Sequence, residues 1–182
     1  SLVAQAFKYH SQGNILEAAN HYQLFLKKGY SDPRIFSNYG AILRSLGKLT
    51  EAEIFTKKAI KIKPDYPEAH SNLGNIFKDL GSEKKAELST RKAIKLKPDF
   101  VNAHNNLGLI LKNLGKLEEA EISTRKAIEL KPDFAEAYSN LGLILKDLDK
   151  LEEAEISTRK AIELRPDFAE AYSNLGNILK DL

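Results

Sequence analysis

The chain has 182 residues, of which 42% are hydrophobic and 29% are charged, and its formal net charge at pH 7 is +3. It contains no cysteine, which excludes disulfides, zinc ribbons, iron–sulfur clusters and thiol nucleophiles. No apolar run approaches the roughly 18 residues of a membrane helix, and the first residues lack the pattern of a secretory signal peptide. We therefore expect a cytoplasmic protein with no membrane partner.

The most informative feature is an internal period of 34 residues. The tripeptide Pro-Asp-(Tyr/Phe) recurs with this spacing at Pro64, Pro98, Pro132 and Pro166. Residues 101–134 and 135–168 are identical at 27 of 34 positions. A short unit repeated at this period is typical of a solenoid, in which each unit buries its apolar face against its neighbours.

The period divides the chain into an irregular first unit, four complete units and a final half unit. The predicted boundaries are 1–32, 33–66, 67–100, 101–134, 135–168 and 169–182. Because the chain begins without methionine and ends halfway through a unit, we expect it to be a fragment of a longer protein.

Each complete unit is predicted to begin with an amphipathic helix. In residues 135–168, Tyr138, Leu141 and Leu145 fall on one face at 100° per residue. Gly142 lies on the same stripe, where the absence of a side chain allows a neighbouring helix to approach closely. This face is expected to be buried.

A turn and a second helix complete the unit. Asp149 occupies a turn position where other units have glycine, which suits a left-handed backbone. Ala154, Thr158 and Ala161 then form the inner face of the second helix. Pro166 ends the unit, because its ring is excluded from a helix interior.

The repeats share a pattern of an aromatic residue, Leu-Gly, a large apolar residue, two alanines and a proline. This pattern resembles that of the tetratricopeptide repeat family. One unit carries it in Tyr138, Leu141, Gly142, Leu145, Ala154, Ala161 and Pro166, and another in Phe36, Tyr39, Gly40, Leu43, Ala52, Ala59 and Pro64. The resemblance covers nearly the whole chain. It implies an all-α fold, a right-handed superhelical solenoid of antiparallel helix pairs with about five repeats plus one extra helix. First helices would line a concave groove and second helices would form the convex back.

The chain departs from the family pattern at two kinds of position. His70 and His104 take the aromatic place of the first helix, and we expect both to be core residues that lie too far apart to share a metal ion. Threonine takes an aromatic place of the second helix at Thr56, Thr90, Thr124 and Thr158.

Asparagine recurs at one outward place in five successive first helices, at Asn38, Asn72, Asn106, Asn140 and Asn174. Asparagine is a mediocre helix former, and its carboxamide offers a donor and an acceptor to the backbone of an extended peptide. We predict that the row binds such a peptide and that its carboxamides face solvent. The same groove would contain Leu109, Leu143, Lys112 and Lys146. The alternative is a neutral surface residue copied by recent duplication.

The Asn-Leu-Gly segment also resembles the superhelical repeat region of the O-linked N-acetylglucosamine transferases. That resemblance implies that the asparagine row contacts substrate, with Asn38 in an Asn-Tyr-Gly variant of the motif. The chain shows no motif of a glycosyltransferase catalytic domain. An alternative function is therefore a substrate-recruiting region of a larger enzyme such as a glycosyltransferase.

A second recurring feature is an apolar row on the outer face of the second helices, at Ile54, Leu88, Ile122 and Ile156. Basic pairs border it, so that it is a candidate convex assembly row, although singly exposed apolar residues are also ordinary. The final helix is predicted to leave Tyr172, Leu175 and Leu179 uncovered. Self-association through that helix, or a self-assembling array, is the other alternative.

No phosphate loop, nucleophile elbow or dinucleotide motif is present. The basic residues of the second helices lack interleaved aromatic residues for base stacking, so we expect no nucleic-acid partner. The sequence thus predicts a non-enzymatic scaffold that binds extended segments of other proteins, without a cofactor or a metal.

Overall fold

The computed structural model describes residues 2–182, and this part of the chain consists of eleven α-helices without a strand. The predicted all-α fold is confirmed. The helices form five consecutive pairs, in which the two members pack together, and a final unpaired helix. They divide into two compact units, each of which contains several of the 34-residue repeats. From here on, the first unit is the part of the chain that ends at Leu96, and the second unit is the part that begins at Lys97.

The first unit contains three helix pairs. Its helices are α1 (Leu2–Ser11), α2 (Ile15–Lys27), α3 (Pro33–Ser45), α4 (Leu49–Ile62), α5 (Pro67–Asp79) and α6 (Glu83–Leu96). The first helices α3 and α5 also contact each other. Tyr22, Ile35, Tyr39, Ile42 and Ile76 form the centre of its core.

The second unit contains two helix pairs and the final helix. Its helices are α7 (Val101–Asn113), α8 (Leu117–Leu130), α9 (Ala135–Asp147), α10 (Leu151–Leu164) and α11 (Ala169–Asp181). The first helix α9 packs on its partner α10 and also contacts α7 and α11. Leu141, Leu145, Ala154 and Ile178 form a buried cluster between these helices.

The turns inside the pairs adopt the predicted left-handed backbone. The glycines of these turns have φ values between 68° and 73°, and Asp149 takes the same conformation with φ of 60°. Its amide donates to the carbonyl oxygen of Lys146, which satisfies one of the free carbonyl groups at the end of α9.

Small residues set the distance between the two helices of a pair. A Cβ atom built on Gly142 would lie 2.1 Å from Thr158 Oγ1, and Thr158 Oγ1 donates to the carbonyl oxygen of Ala154 at 2.8 Å. Gly40, Gly74 and Gly108 face their threonines in the same way. Threonine in the aromatic place of the family pattern is therefore matched to glycine across the pair.

The prediction that His70 and His104 are core residues is wrong. His70 and His104 are half-buried, and the Nε2 atom of each lies 2.8 Å from the carbonyl oxygen of a corner proline, Pro64 and Pro98 respectively. The polar imidazole reaches back to the corner that precedes its own helix because an unsatisfied carbonyl group is available there.

Candidate functional site

The five recurring asparagines lie on the first helices, at Asn38 on α3, Asn72 on α5, Asn106 on α7, Asn140 on α9 and Asn174 on α11. In each compact unit, we call the surface that carries them the asparagine face. Two of its asparagines belong to the first unit and three belong to the second.

In the first unit the asparagines reach back to the preceding helix pair. Asn72 Nδ2 donates to Ser37 Oγ at 3.0 Å, and Asn38 Nδ2 lies 3.5 Å from Tyr22 Oη. Both asparagines are half-buried, whereas Ser37 is fully buried. The bond from Asn72 spans 35 residues and joins α5 to α3.

The second unit repeats this contact in a more buried form. Asn140 Nδ2 donates to Asn105 Oδ1 at 2.9 Å, and Asn174 Nδ2 donates to Ser139 Oγ at 3.0 Å. Asn140 and Asn174 are each only 8% exposed. Each bond again spans 35 residues and joins a first helix to the one before it.

The expectation that the carboxamides face solvent and support no packing is therefore wrong. A helical wheel centred on Tyr138 finds the interface between α9 and its own partner α10. It does not find the lateral contacts of α9 with α7 and α11, which bury part of the opposite side. The acceptors Ser37, Asn105 and Ser139 were missed for the same reason. Their signal in the sequence is a serine or asparagine directly before each recurring asparagine.

The hydrogen bonds leave part of each carboxamide unused. A primary amide has two N–H donors and a carbonyl oxygen with two lone pairs. The bond to the preceding helix takes one donor and fixes the orientation of Asn140 and Asn174. One further N–H and the carbonyl oxygen of each amide have no hydrogen bond within the part of the chain that the structure describes.

The predicted apolar and basic neighbours lie on the same helices. Leu109 and Leu143 are half-buried, one helical turn after Asn106 and Asn140. Asn177 takes the corresponding place on α11. Each leucine therefore lies near its asparagine on one side of the helix.

The two lysines of the face are engaged in ion pairs between repeats. Lys112 Nζ lies 2.9 Å from Asp147 Oδ2, and Lys146 Nζ lies 2.8 Å from Asp181 Oδ2. The hydrogen bond between Lys146 and Asp181 raises the pKa of the lysine and lowers the pKa of the aspartate. The basic charge on this part of the face is therefore compensated.

The apolar row of the second helices is exposed, as its sequence positions predict. The exposed fractions are 49% for Ile54, 74% for Leu88, 70% for Ile122 and 69% for Ile156. Its role in assembly stays a prediction.

The final helix α11 presents an open apolar surface. Tyr172 is 51% exposed and Leu179 is 45% exposed, and a Cβ atom on Gly176 would meet nothing within 4 Å. Leu175 was predicted to be uncovered with them, but it is buried. The helices α9 and α10 contact α11 and leave only part of its surface open.

The residues that the structure describes contain no group of three metal-ligating side chains that could hold an ion. Within the same residues, every helix is too short or too polar to cross a membrane.

Three family models match the chain, all of them describing tetratricopeptide repeats. One matches residues 101–134 and 135–168, a second matches 67–100, and a third matches 40–81. Together they extend over most of the chain. A search of curated proteins finds no significant match.

Solved structures with the same fold include a thermophilic TPR protein of Thermus thermophilus, which is 20% identical, covers 98% of this chain and 97% of its own, and has a TM-score of 0.82. YrrB, described as a TPR protein with an unusual peptide-binding site, is 24% identical with a TM-score of 0.72 over 97% of this chain and 89% of its own. MamA is 24% identical with a TM-score of 0.73, covering 91% and 96%. At these identities the likeness concerns the fold.

Proposed function

Because the chain belongs to the tetratricopeptide repeat family, we propose that it is a non-enzymatic scaffold that binds an extended peptide segment of another protein along the asparagine face. The observation that carries the proposal is the row of carboxamides, three of which donate to the preceding first helix, at Asn72, Asn140 and Asn174, and keep a second N–H and the carbonyl oxygen. The unusual peptide-binding site named for YrrB supports a peptide as the ligand.

The spacing of the row suits a main chain rather than side chains. Packed helices lie roughly 8–10 Å apart, and an extended chain advances about 3.3 Å per residue. Successive asparagines would therefore meet the backbone at about every third residue. Recognition of the backbone needs no particular ligand side chain, whereas Leu109 and Leu143 supply a modest preference for apolar residues between the contacts.

The compensated charge on this face also favours a neutral main chain. Lys112 and Lys146 are paired with aspartates, so that neither lysine offers a free cation to a carboxylate or a phosphate. Affinity should depend only weakly on salt, because surface charge contributes little to the contact.

The decisive experiment selects binders from a library of unstructured peptides and measures their affinity for variants. Each neutral hydrogen bond contributes roughly 0.5–1.5 kcal/mol, so the combined change of Asn106, Asn140 and Asn174 to alanine should weaken binding by about a hundredfold. Ser139→Ala is the matched control, since it removes the acceptor of Asn174 and keeps the carboxamide.

The ligand supplies a second test of the same proposal. Methylation of backbone nitrogens in the peptide should abolish binding at about every third position, while alanine at those positions should have little effect. If alanine substitutions weaken binding and N-methylation does not, the carboxamides do not hold the main chain. Unchanged binding to the folded triple variant leads to the same conclusion.

Two other functions use features of the same chain. A substrate-recruiting region of a larger enzyme would use the asparagine face in the same manner. Self-association is favoured by a separate observation, the exposed surface of α11 around Tyr172 and Leu179.

A further inference from the structure

The second unit contains an open groove of about 620 Å³ on the side of the second helix α10. Its floor is formed by Tyr138, Leu141 and Leu145 of α9. The remaining lining residues are Arg125, Glu153, Ile156, Ser157, Arg159, Lys160 and Glu163.

The corresponding place in the first unit is occupied by an aromatic ring. Phe55 of α4 stacks on Phe36 with ring centroids 6.1 Å apart and makes an edge contact with Tyr39 at 4.8 Å. Lys58 Nζ lies 4.9 Å from the centre of the Phe55 ring. An aromatic side chain in this place is thus held by two rings below it and by one cation beside it.

The repeat relates this cluster to the groove position by position. Phe36, Tyr39, Phe55 and Lys58 correspond, three periods later, to Tyr138, Leu141, Ser157 and Lys160. All four of these later residues line the groove. At the groove, serine takes the place of the Phe55 ring and Leu141 takes the place of the Tyr39 ring, whereas an aromatic residue at the Phe36 position and the lysine are retained.

Ser157 lines the groove and does not obstruct it. Its Oγ donates to the carbonyl oxygen of Tyr138 at 2.9 Å, and the residue is 7% exposed. The hydroxyl group is therefore satisfied within the protein. A ligand ring can pack over this serine without leaving a buried polar atom unpaired.

We propose that this groove is a binding pocket for an aromatic side chain, Phe or Tyr, of a partner protein. The ring would take the place that Phe55 takes in the first unit, on Tyr138 and Leu141 and beside Lys160. The rim charges are paired, Arg125 with Glu153 at 3.1 Å and Lys160 with Glu163 at 2.7 Å. Selection therefore rests on the shape and the aromatic character of the anchor rather than on its charge.

The first test uses p-cresol, the side chain of tyrosine, against isobutanol, a branched aliphatic alcohol that carries one hydroxyl group and no ring. Protein with labelled Leu and Ile methyl groups is titrated by NMR to millimolar ligand. We expect p-cresol to shift the methyl signals of Leu141, Leu145 and Ile156 and to give intermolecular NOEs to Ile156, with isobutanol at least about tenfold weaker. Absence of these shifts and NOEs with p-cresol overturns the proposal.

Substitutions at one position then distinguish this pocket from any other. Ser157→Phe fills the groove with the protein's own ring and should remove p-cresol binding, whereas Ser157→Ala keeps the space and should retain it. In the first unit, Phe55→Ser should create a new p-cresol site with shifts at Leu43. If the folded Ser157→Phe variant binds p-cresol as well as the unmodified protein, the pocket is not the site.

The test is independent of peptide binding on the asparagine face. The variant with alanine at Asn106, Asn140 and Asn174 should bind p-cresol unchanged, because none of the three asparagines lines the groove. Loss of p-cresol binding in that variant, when it is folded, contradicts the assignment.

Discussion

A recurring polar residue can serve both the fold and the ligand. Asn140 is nearly buried and donates to Asn105, yet a primary amide retains one donor and its acceptor for a bound chain. A hydrogen bond inside the protein fixes the rotamer of the carboxamide. In the proposed complex, the entropy cost of ordering this side chain would therefore be met before the peptide binds.

Asn140→Ala is expected to destabilise the second unit by about 1–3 kcal/mol, because the buried Asn105 carboxamide oxygen loses its donor. Urea unfolding monitored by circular dichroism measures the change. Asn105→Ser is the matched control, since Ser139 already accepts the equivalent bond from Asn174, and it should cost much less. Equal losses in the two variants would show that the bond itself is unimportant.

Two glycines in nearly identical helices should respond in opposite directions to alanine. At Gly142 a new Cβ would lie 2.1 Å from Thr158 Oγ1, so Gly142→Ala should cost about 1–3 kcal/mol by forcing α9 and α10 apart. At Gly176 the Cβ meets nothing within 4 Å, and alanine should stabilise α11 by about 0.5–1 kcal/mol.

Thermal unfolding of the two glycine variants gives the comparison. Adding Thr158→Ala to Gly142→Ala removes the clashing hydroxyl group and should recover part of the loss. A Gly142→Ala protein as stable as the Gly176→Ala protein would show that the helices of a pair separate without cost.

The helices themselves could be predicted almost completely from the sequence, because the inner face of each helix carries an uninterrupted stripe. The stripe of Leu141 and Leu145 and the row of Ala154, Thr158 and Ala161 are buried as predicted. The same periodicity could not show the contacts of α9 with α7 and α11, since it measures one interface of a helix that also contacts α7, α8 and α11.

The candidate site was predictable in composition and less so in geometry. The recurrence of asparagine identified the row, but the depth of Asn140 depends on a bond to a residue 35 positions earlier, one more than the repeat length. The groove beside Ser157 was not found, because an absent aromatic ring leaves no positive signal. Only comparison with Phe55 in its folded surroundings shows the missing volume.

Opposite faces of one helix pair should differ strongly in their sensitivity to truncation. Leu141 is 3% exposed within the buried cluster, and Leu141→Ala should cost about 2–5 kcal/mol. Ile156 is 69% exposed, and Ile156→Ala should change stability by no more than about 0.5 kcal/mol. Urea unfolding of both variants tests the assignment, and comparable losses would show that the outer row is part of the core.

In a repeat protein each repeat packs on its neighbours. The free energy of unfolding of the whole chain is therefore close to a sum of the stabilities of single repeats and of the interfaces between them. Cross-repeat bonds contribute to the neighbour terms. They include the asparagine contacts and the ion pair of Arg44 Nε with Asp79 Oδ2 at 2.5 Å. Exposed ion pairs of this kind are worth at most about 1 kcal/mol each, so the apolar contacts between helices decide whether a repeat is stable.

Helix α11 exposes part of its apolar surface, and we predict that this surface mediates self-association of the 182-residue chain. Its sequence differs from that of α9 only at Asn177, where α9 has Leu143. The surface that α10 covers on α9 is therefore present on α11, with Tyr172, Gly176 and Leu179 open.

Sedimentation velocity from micromolar to millimolar protein should show a rising mass for the unmodified chain and a constant monomer mass for Leu179→Lys. A synthetic peptide with the sequence of residues 151–164 carries the alanine and threonine face that packs on α9, so it should compete with association. The same peptide with phenylalanine in place of threonine should not compete, because its ring cannot approach Gly176 as closely as Thr158 approaches Gly142. A strictly monomeric mass at millimolar concentration, with α11 helical, would mean that an open repeat surface of this size is insufficient to hold two copies together.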